Sequence, residues 1–325
     1  MRILSGVQPS GKLHIGNYFG ALRQYLKLQD EGHQCYYFIA NYHALTSVQD
    51  KAVLEEMTLD VARSYLALGI DPGRCVFFAQ SDVPQVTELC WILTCVCPVS
   101  LMEKGTSYKD KVAKGLPANM GLLDYPVLQA ADILIYDANL VPVGADQRQH
   151  IEMSRDLAVK LNQTWGREVL VLPEPYIVSE VAVVPGTDGQ KMSKSYNNTI
   201  EIFQPAKATG KRCAQIVTDS TPLEAPKNPE QCNVFALLRL FATVQEQQEI
   251  ADKYRAGGYG YGNAKKRLAE LINEKFATAR DRYDQLLKDE PFVRDVLREG
   301  GRKARATAEA TMQRVRSAVG IVTTY

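Results

Sequence analysis

Short apolar runs separated by amphipathic stretches fill the first two hundred positions of the chain. Cys35–Ala40 and Cys75–Ala79 are wholly apolar and Arg2–Gly6 is centred on Ile3-Leu4, each five or six residues long, which suits strands of a buried sheet. Between them Tyr18–Gln29, Lys51–Leu68 and Glu88–Val96 carry apolar residues at helical spacing. This alternation predicts a parallel sheet with helices on its faces. Ile133–Tyr136 and Leu140–Val143 read as further strands, with Asp146–Asn162 helical behind them.

From about Pro205 onward the β-branched runs vanish and the pattern is helical, broken by Pro222, Pro226, Pro229, Gly257–Gly262 and Gly300-Gly301. The chain therefore divides into an α/β half and a helical half. In the last helix Ala304, Ala308, Met312, Val315 and Val319 fall on one stripe, which must pack on something. Arg302, Arg305 and Arg316 share another face, and Glu309 is spaced to pair with Arg305 at i, i+4. That face reads either as solvated surface or as a contact for a polyanion.

The 325 residues are 46% hydrophobic and 23% charged, which excludes disorder and coiled coil and leaves a globular chain. No apolar run reaches the roughly 18 residues of a membrane span, and Met1–Gly6 reads as a strand entering a glycine turn rather than as a signal or transit peptide. Seven cysteines, an odd number mostly in apolar segments, suit buried thiols in a reducing, cytoplasmic setting. Cys95 and Cys97 have one residue between them and no histidine nearby, so no metal is expected there. The net charge of +1 hides an asymmetry: residues 251–325 hold 16 Lys+Arg and 10 Asp+Glu, a charge of +6, against −5 for the rest. A basic end on an acidic body fits a polyanion partner or a solvated helical surface.

Two segments carry chemistry. The first strand runs into Gln8-Pro9-Ser10-Gly11-Lys12-Leu13-His14-Ile15-Gly16-Asn17, followed by a helix. Glycines at such a turn let backbone N–H groups approach a phosphate at the positive end of a helix. The spacing matches neither G-x-G-x-x-G nor the P-loop pattern, so dinucleotide and P-loop readings fail. The second segment, Lys191-Met192-Ser193-Lys194-Ser195, follows Pro185-Gly186-Thr187-Asp188-Gly189. Two lysines on a glycine-hinged loop make an adaptable clamp for a polyphosphate.

Together His14-Ile15-Gly16-Asn17 and Lys191–Ser195, bracketing a parallel-sheet domain, resemble the class I aminoacyl-tRNA synthetases. Tyr125–Leu134 and Val141–Glu152, with Gly6–Gly11 and Tyr42–Thr46, are similar to the tryptophanyl family of that class in its bacterial form. The resemblance implies a Rossmann-like catalytic domain over 1–200 that ends in the KMSKS loop, and an all-helical anticodon-binding domain over 201–325. It implies tryptophan activation by ATP with Mg²⁺, then transfer to tRNA(Trp) by a homodimer. It also implies a set of roles. Asp132 accepts the indole N–H, Tyr125 and Gln147 lie near the amino group, and His43, Val141, Val143, Gln129 and Leu4 line the pocket. Gln129 stands where many relatives have Met, and Leu4 where some have Phe. Gln8, Pro9, Ser10, Gly16 and Asn17 face ATP on one side, and Gly144, Ala145 and Asp146 face the ribose, with Val183 beside adenine. Lys191, Met192, Ser193, Lys194 and Ser195 close over the phosphates, and His14, Lys191, Lys194 and Lys111 stabilise charge in the reaction.

Chemistry supports Asp132 independently. Indole offers one strong polar handle, an N–H donor, for which an ionised carboxylate is the natural acceptor; a helix cap or surface position is the plainer reading of the same residue. Some relatives bind an iron–sulfur cluster through C-x22-C-x6-C-x2-C, but counting from Cys232 lands on Arg255, Gly262 and Lys265, so neither cluster nor zinc is expected. Tyrosyl-tRNA synthetase is the nearest alternative. A paralogue that binds RNA or tryptophan without charging tRNA is the alternative from another class.

Overall fold

The computed structural model describes residues 1–102, 119–144, 148–166, 168–177 and 183–322. Strands β1 (Arg2–Val7), β2 (Gln34–Ile39), β3 (Cys75–Ala79), β4 (Leu140–Val143) and β5 (Glu174–Ile177) form one parallel sheet in the order β3-β2-β1-β4-β5. In the register, Ile3 lies opposite Cys35 and Leu140, and Cys35 opposite Cys75. Side chains alternate between the two faces, so Tyr36 and Tyr37 enter different cores. Helices cover both faces, which is why β2 is buried from Cys35 through Ile39.

Four strands lie where the apolar runs put them, within a residue at each end. Ile133–Tyr136 is not a strand. Asn119 caps a helix by accepting from Leu122 N–H at 2.9 Å, and that helix runs Met120–Leu134 with Pro126 inside it, so the apolar run is its buried end. A short run buried on all sides looks alike as strand or helix, and periodicity cannot separate them. The edge strand β5 went unforeseen because Glu-Pro-Tyr-Ile is short, and proline suits an edge better than a central strand. Among the described residues no helix is long and apolar enough to cross a membrane.

Both cores draw on residues beyond 200. On one face Leu22, Tyr37 and Phe77 pack with Tyr254, Leu268 and Phe276. On the other, Tyr36, Phe78, Leu134 and Leu157 pack with Ala304, Ala308, Met312 and Val315, which is what the apolar stripe of the last helix covers. Gly300-Gly301 does not break that helix, which runs Glu290–Val319. A Cβ on Gly300 would fall inside the Phe77 carbonyl oxygen, and one on Gly301 would press on Asp82. Glycine is required there because helix and strand backbones touch.

The arginine face is also rearranged. Glu309 pairs with Arg316 at 2.6 Å rather than with Arg305, and Arg316 also takes Glu88 at 2.7 Å, leaving its side chain 8% exposed. The stripe fixes the helix against the Gln85–Val96 helix, which turns Arg316 inward. Arg305 donates instead to the Asp82 carbonyl at 2.8 and 3.0 Å, and Arg302 pairs with Glu299 on the surface. Cys35, Cys75, Cys213 and Cys232 are buried free thiols. Burial pushes Cys75 and Cys213 up to about 12, so both stay protonated and inert.

Gly300→Ala should destabilise the protein by about 1–3 kcal/mol, the cost of overpacking a contact with no room to yield. Urea unfolding checks this as a lower midpoint with unchanged slope.

Candidate active site

A cavity of about 380 Å³ opens at the carboxyl ends of the strands, beside the β1/β4 boundary. There the chain order reverses, with β2 and β3 to one side of β1 and β4 and β5 to the other. Such a switch point leaves a crevice in an open α/β sheet. Leu4 from β1, Val141 and Val143 from β4, and His43 beyond β2 line it. Tyr125, Gln129 and Asp132 reach it from the Met120–Leu134 helix, where their spacing of four and three puts them on one face. Gln8 and Gly144 complete the rim, and Gly20 and Ala21 contribute from a π-helical turn over Tyr18–Leu22. The cavity thus gathers seven of the eight residues expected around tryptophan. The eighth, Gln147, lies outside the described residues, as do Ala145, Asp146 and Lys111.

Asp132 sits in a helix rather than ahead of a strand, and only 1% of it is exposed. Its Oδ2 lies 2.8 Å from His43 Nε2, and Gln80 Nε2 donates to Oδ1 and Oδ2 at 2.7 and 2.9 Å. Burial raises this carboxyl above its ordinary range, while His43 and Gln80 pull it back by bonding the charged form. Tyr125 places its hydroxyl 3.2 Å from His150 Nε2.

The two signature segments meet across a short antiparallel pairing. Ile15 N–H donates to the Ile200 carbonyl and Ile202 N–H to the Leu13 carbonyl, each at 3.0 Å. His14 caps the helix that begins at Ile15, and Asn17 Oδ1 accepts from His14 N–H at 3.1 Å. His14 is 5% exposed, and its Nδ1 is buried without a partner. Desolvation, reinforced by the Lys194 charge, lowers His14 to about 4. Its imidazole is therefore neutral near pH 7 and has one N–H to give. Lys12 Nζ is 2.9 Å from buried Asp60, which also accepts from Tyr283 Oη, tying this loop to the helical half.

Lys194 Nζ donates to the Gly11 and Ser10 carbonyls at 2.8 and 3.0 Å, so the second loop already reaches the first. Lys191 and Ser195 are exposed, and Met192 is buried as the loop's anchor. Val183 is 68% exposed and outside the cavity lining. Pro9 and Gly16 are buried or half-buried in the first segment, and Ser10 is exposed.

Two residues escaped the sequence reading. Asn198, 1% exposed, accepts from Ser193 N–H at 2.7 Å and donates to Asp188 at 2.7 Å and to the Lys191 carbonyl at 3.1 Å, so it fixes the loop backbone from Lys191 to Ser193. Gly186 is glycine because a Cβ there would collide with Asn198, and Gly189 takes φ +84°. The available signal was a pair of asparagines straight after the lysine loop. Gln80 directly follows an apolar strand at the ligand side of the sheet, where a polar residue is worth notice.

This geometry combines an apolar slot that holds one carboxylate with a separate pair of loops that brings a neutral histidine and two lysines together, a set suited to phosphate. Comparison with known proteins agrees. The family model for tRNA synthetases class I (W and Y) matches residues 1–277. Tryptophan–tRNA ligase of Fusobacterium nucleatum is 53% identical over 99% of this chain and 98% of its own length. The crystal structure of tryptophanyl-tRNA synthetase from Campylobacter jejuni complexed with ADP and tryptophan superposes with a TM-score of 0.93 at 51% identity, covering 99% of this chain and all of that one. The Mycoplasma pneumoniae tryptophanyl-tRNA synthetase superposes at 0.81 with 28% identity over 99% of this chain and 98% of its own. With its parallel sheet, its two paired loops and these relatives, the chain belongs to the class I tRNA synthetases of the tryptophan and tyrosine family.

Proposed function

We propose that this chain joins L-tryptophan to tRNA(Trp), first forming tryptophanyl-adenylate and pyrophosphate from ATP. The observation that carries the reading is Asp132, a buried carboxylate facing an apolar cavity large enough for indole. The tryptophan carboxylate attacks the α-phosphorus in line, and pyrophosphate leaves. No protein nucleophile is needed, so positioning and charge stabilisation supply the rate. Lys191 and Lys194, with Lys111, neutralise the leaving group, and His14 donates its single N–H to the phosphates. Mg²⁺ carried by the nucleotide would add to the charge neutralisation that these lysines supply. The terminal adenosine 2′-hydroxyl of tRNA then attacks the acyl carbon of the adenylate and loses its proton, forming the ester as the anhydride bond breaks and AMP leaves, and the helical region beyond residue 200 meets the anticodon.

The relatives at 50–53% identity act on tryptophan by name, which favours indole over the phenol of the tyrosyl branch. A phenolic O–H both donates and accepts, whereas a lone carboxylate answers only a donor. Retention of His14, Lys191, Ser193 and Lys194 favours charging over a purely regulatory paralogue, which has no use for a pyrophosphate clamp. The cytoplasm is the compartment where tRNA is charged and where free thiols persist. Two copies pair through the exposed apolar side chains Trp91, Val99 and Met120, carried on helices that pack together.

Asp132→Asn should lower kcat/KM for tryptophan by about 10–10³ in ATP–pyrophosphate exchange, and cost far less for the benzothiophene analogue in which sulfur replaces N–H. Equal losses for both ligands would assign Asp132 to the fold alone. Asn198→Ala should slow exchange by roughly 10-fold or more with tryptophan affinity preserved, because it disorders the clamp and not the slot. Trp91→Glu should halve the mass measured by light scattering; an unchanged mass places the interface elsewhere.

A further inference from the structure

We propose that Gln80 is a positioning residue for indole recognition, holding the Asp132 carboxylate in place as a fixed acceptor at the cavity floor. This rests on the reading that Asp132 accepts the indole N–H.

Tyr42 N–H donates to Gln80 Oε1 at 3.0 Å, so the oxygen end is committed to the backbone and the NH₂ end must face Asp132. The reverse orientation would set an amide oxygen against a carboxylate and leave Tyr42 N–H without an acceptor. Gln80 Nε2 then bridges both carboxylate oxygens at 2.7 and 2.9 Å, in a setting where Gln80 and Asp132 are each 1% exposed. With Gln80 shared between the two oxygens and His43 bonded to Oδ2 alone, the carboxylate is held from two directions, which fixes its position as well as its rotation.

Acceptor counting points the same way. A carboxylate offers about four lone-pair directions. Gln80 engages both oxygens and His43 engages Oδ2, which leaves Oδ1 with acceptor capacity for a single incoming donor. That matches indole, which brings one N–H and nothing to accept with.

The support is itself fixed. Gln80 starts the turn after β3, and His43 lies in the short helix Asn41–Ala44 after β2. Asn41 Nδ2 donates to Ser81 Oγ at 2.7 Å, and Ser81 N–H returns a bond to Asn41 Oδ1 at 3.0 Å. With the Tyr42–Gln80 bond, these stitch the two loops side by side, so both donors reach Asp132 from one braced unit. Gln80 touches no substrate in this scheme and acts through Asp132.

The test uses the full-length protein in ATP–pyrophosphate exchange, with tryptophan and its benzothiophene analogue as ligands. Gln80→Glu keeps the size and an acceptor for Tyr42 N–H but replaces the donor with a second carboxylate. Gln80→Met keeps the volume and removes both polar ends. Each should raise the tryptophan KM by about 10–100-fold, leave kcat and the ATP KM within about twofold, and shift the analogue much less. An unchanged tryptophan KM in either variant, or equal shifts for the two ligands, overturns the proposal. Loss of kcat and ATP binding together would mark a role in folding and also overturns it. Asp132→Asn is measured beside them. If it too fails to separate the ligands, the reading of Asp132 itself falls; if it separates them and the Gln80 variants do not, only Gln80 is excluded.

Discussion

The active site depends on two hydrogen bonds that join Leu13–Ile15 to Ile200–Ile202. Nearly two hundred residues separate these segments, yet the pairing brings the turn that holds His14 beside the loop that holds Lys191 and Lys194, the residues proposed to meet phosphate. This single antiparallel bridge sets His14 and Lys194 within each other's field, which is one cause of the lowered histidine pKa. The same contact lets Lys194 rest on the Ser10 and Gly11 carbonyls. Those carbonyls are weak partners for a full charge, so a polyphosphate can take the ammonium from them at modest cost. A clamp bound to carboxylates instead would be slower to release.

Asp132 presents the opposite problem, a charge that must stay in one place. Burying a carboxylate without partners is prohibitive. Here the cost is offset by donors drawn from two loops that are bonded to each other, so the acceptor is both satisfied and immobile. One end of the site is rigid and discriminating, and the other is adaptable and electrostatic.

Much of this was legible in the residues. Strands β1 to β4 announced themselves as apolar runs, and the seven slot residues from Leu4 to Val143 were named before any contact was visible, through their resemblance to a family. What stayed hidden was of two kinds. Ile133–Tyr136 is buried in every direction, and such a run has no period to betray its helix. Gly300-Gly301, Arg316, Gln80 and Asn198 owe their roles to neighbours from distant parts of the chain, as with Glu88 more than two hundred residues from Arg316. Local pattern reading took the glycine pair for a helix break because it cannot see the Phe77 carbonyl lying against it.

The seat of the last helix on β3 has a consequence for how the chain comes together during synthesis. Residues of β3 are made early, but the side chains that cover one face of the sheet around Phe78 include Ala304, Ala308, Met312 and Val315, made some two hundred residues later. Contacts of such sequence separation form slowly, because the loop between them must be closed first. Until then the nascent sheet exposes apolar surface and a row of aromatic rings. A chain interrupted before this helix would keep that surface open, making it a substrate for chaperones or aggregation rather than a smaller working enzyme.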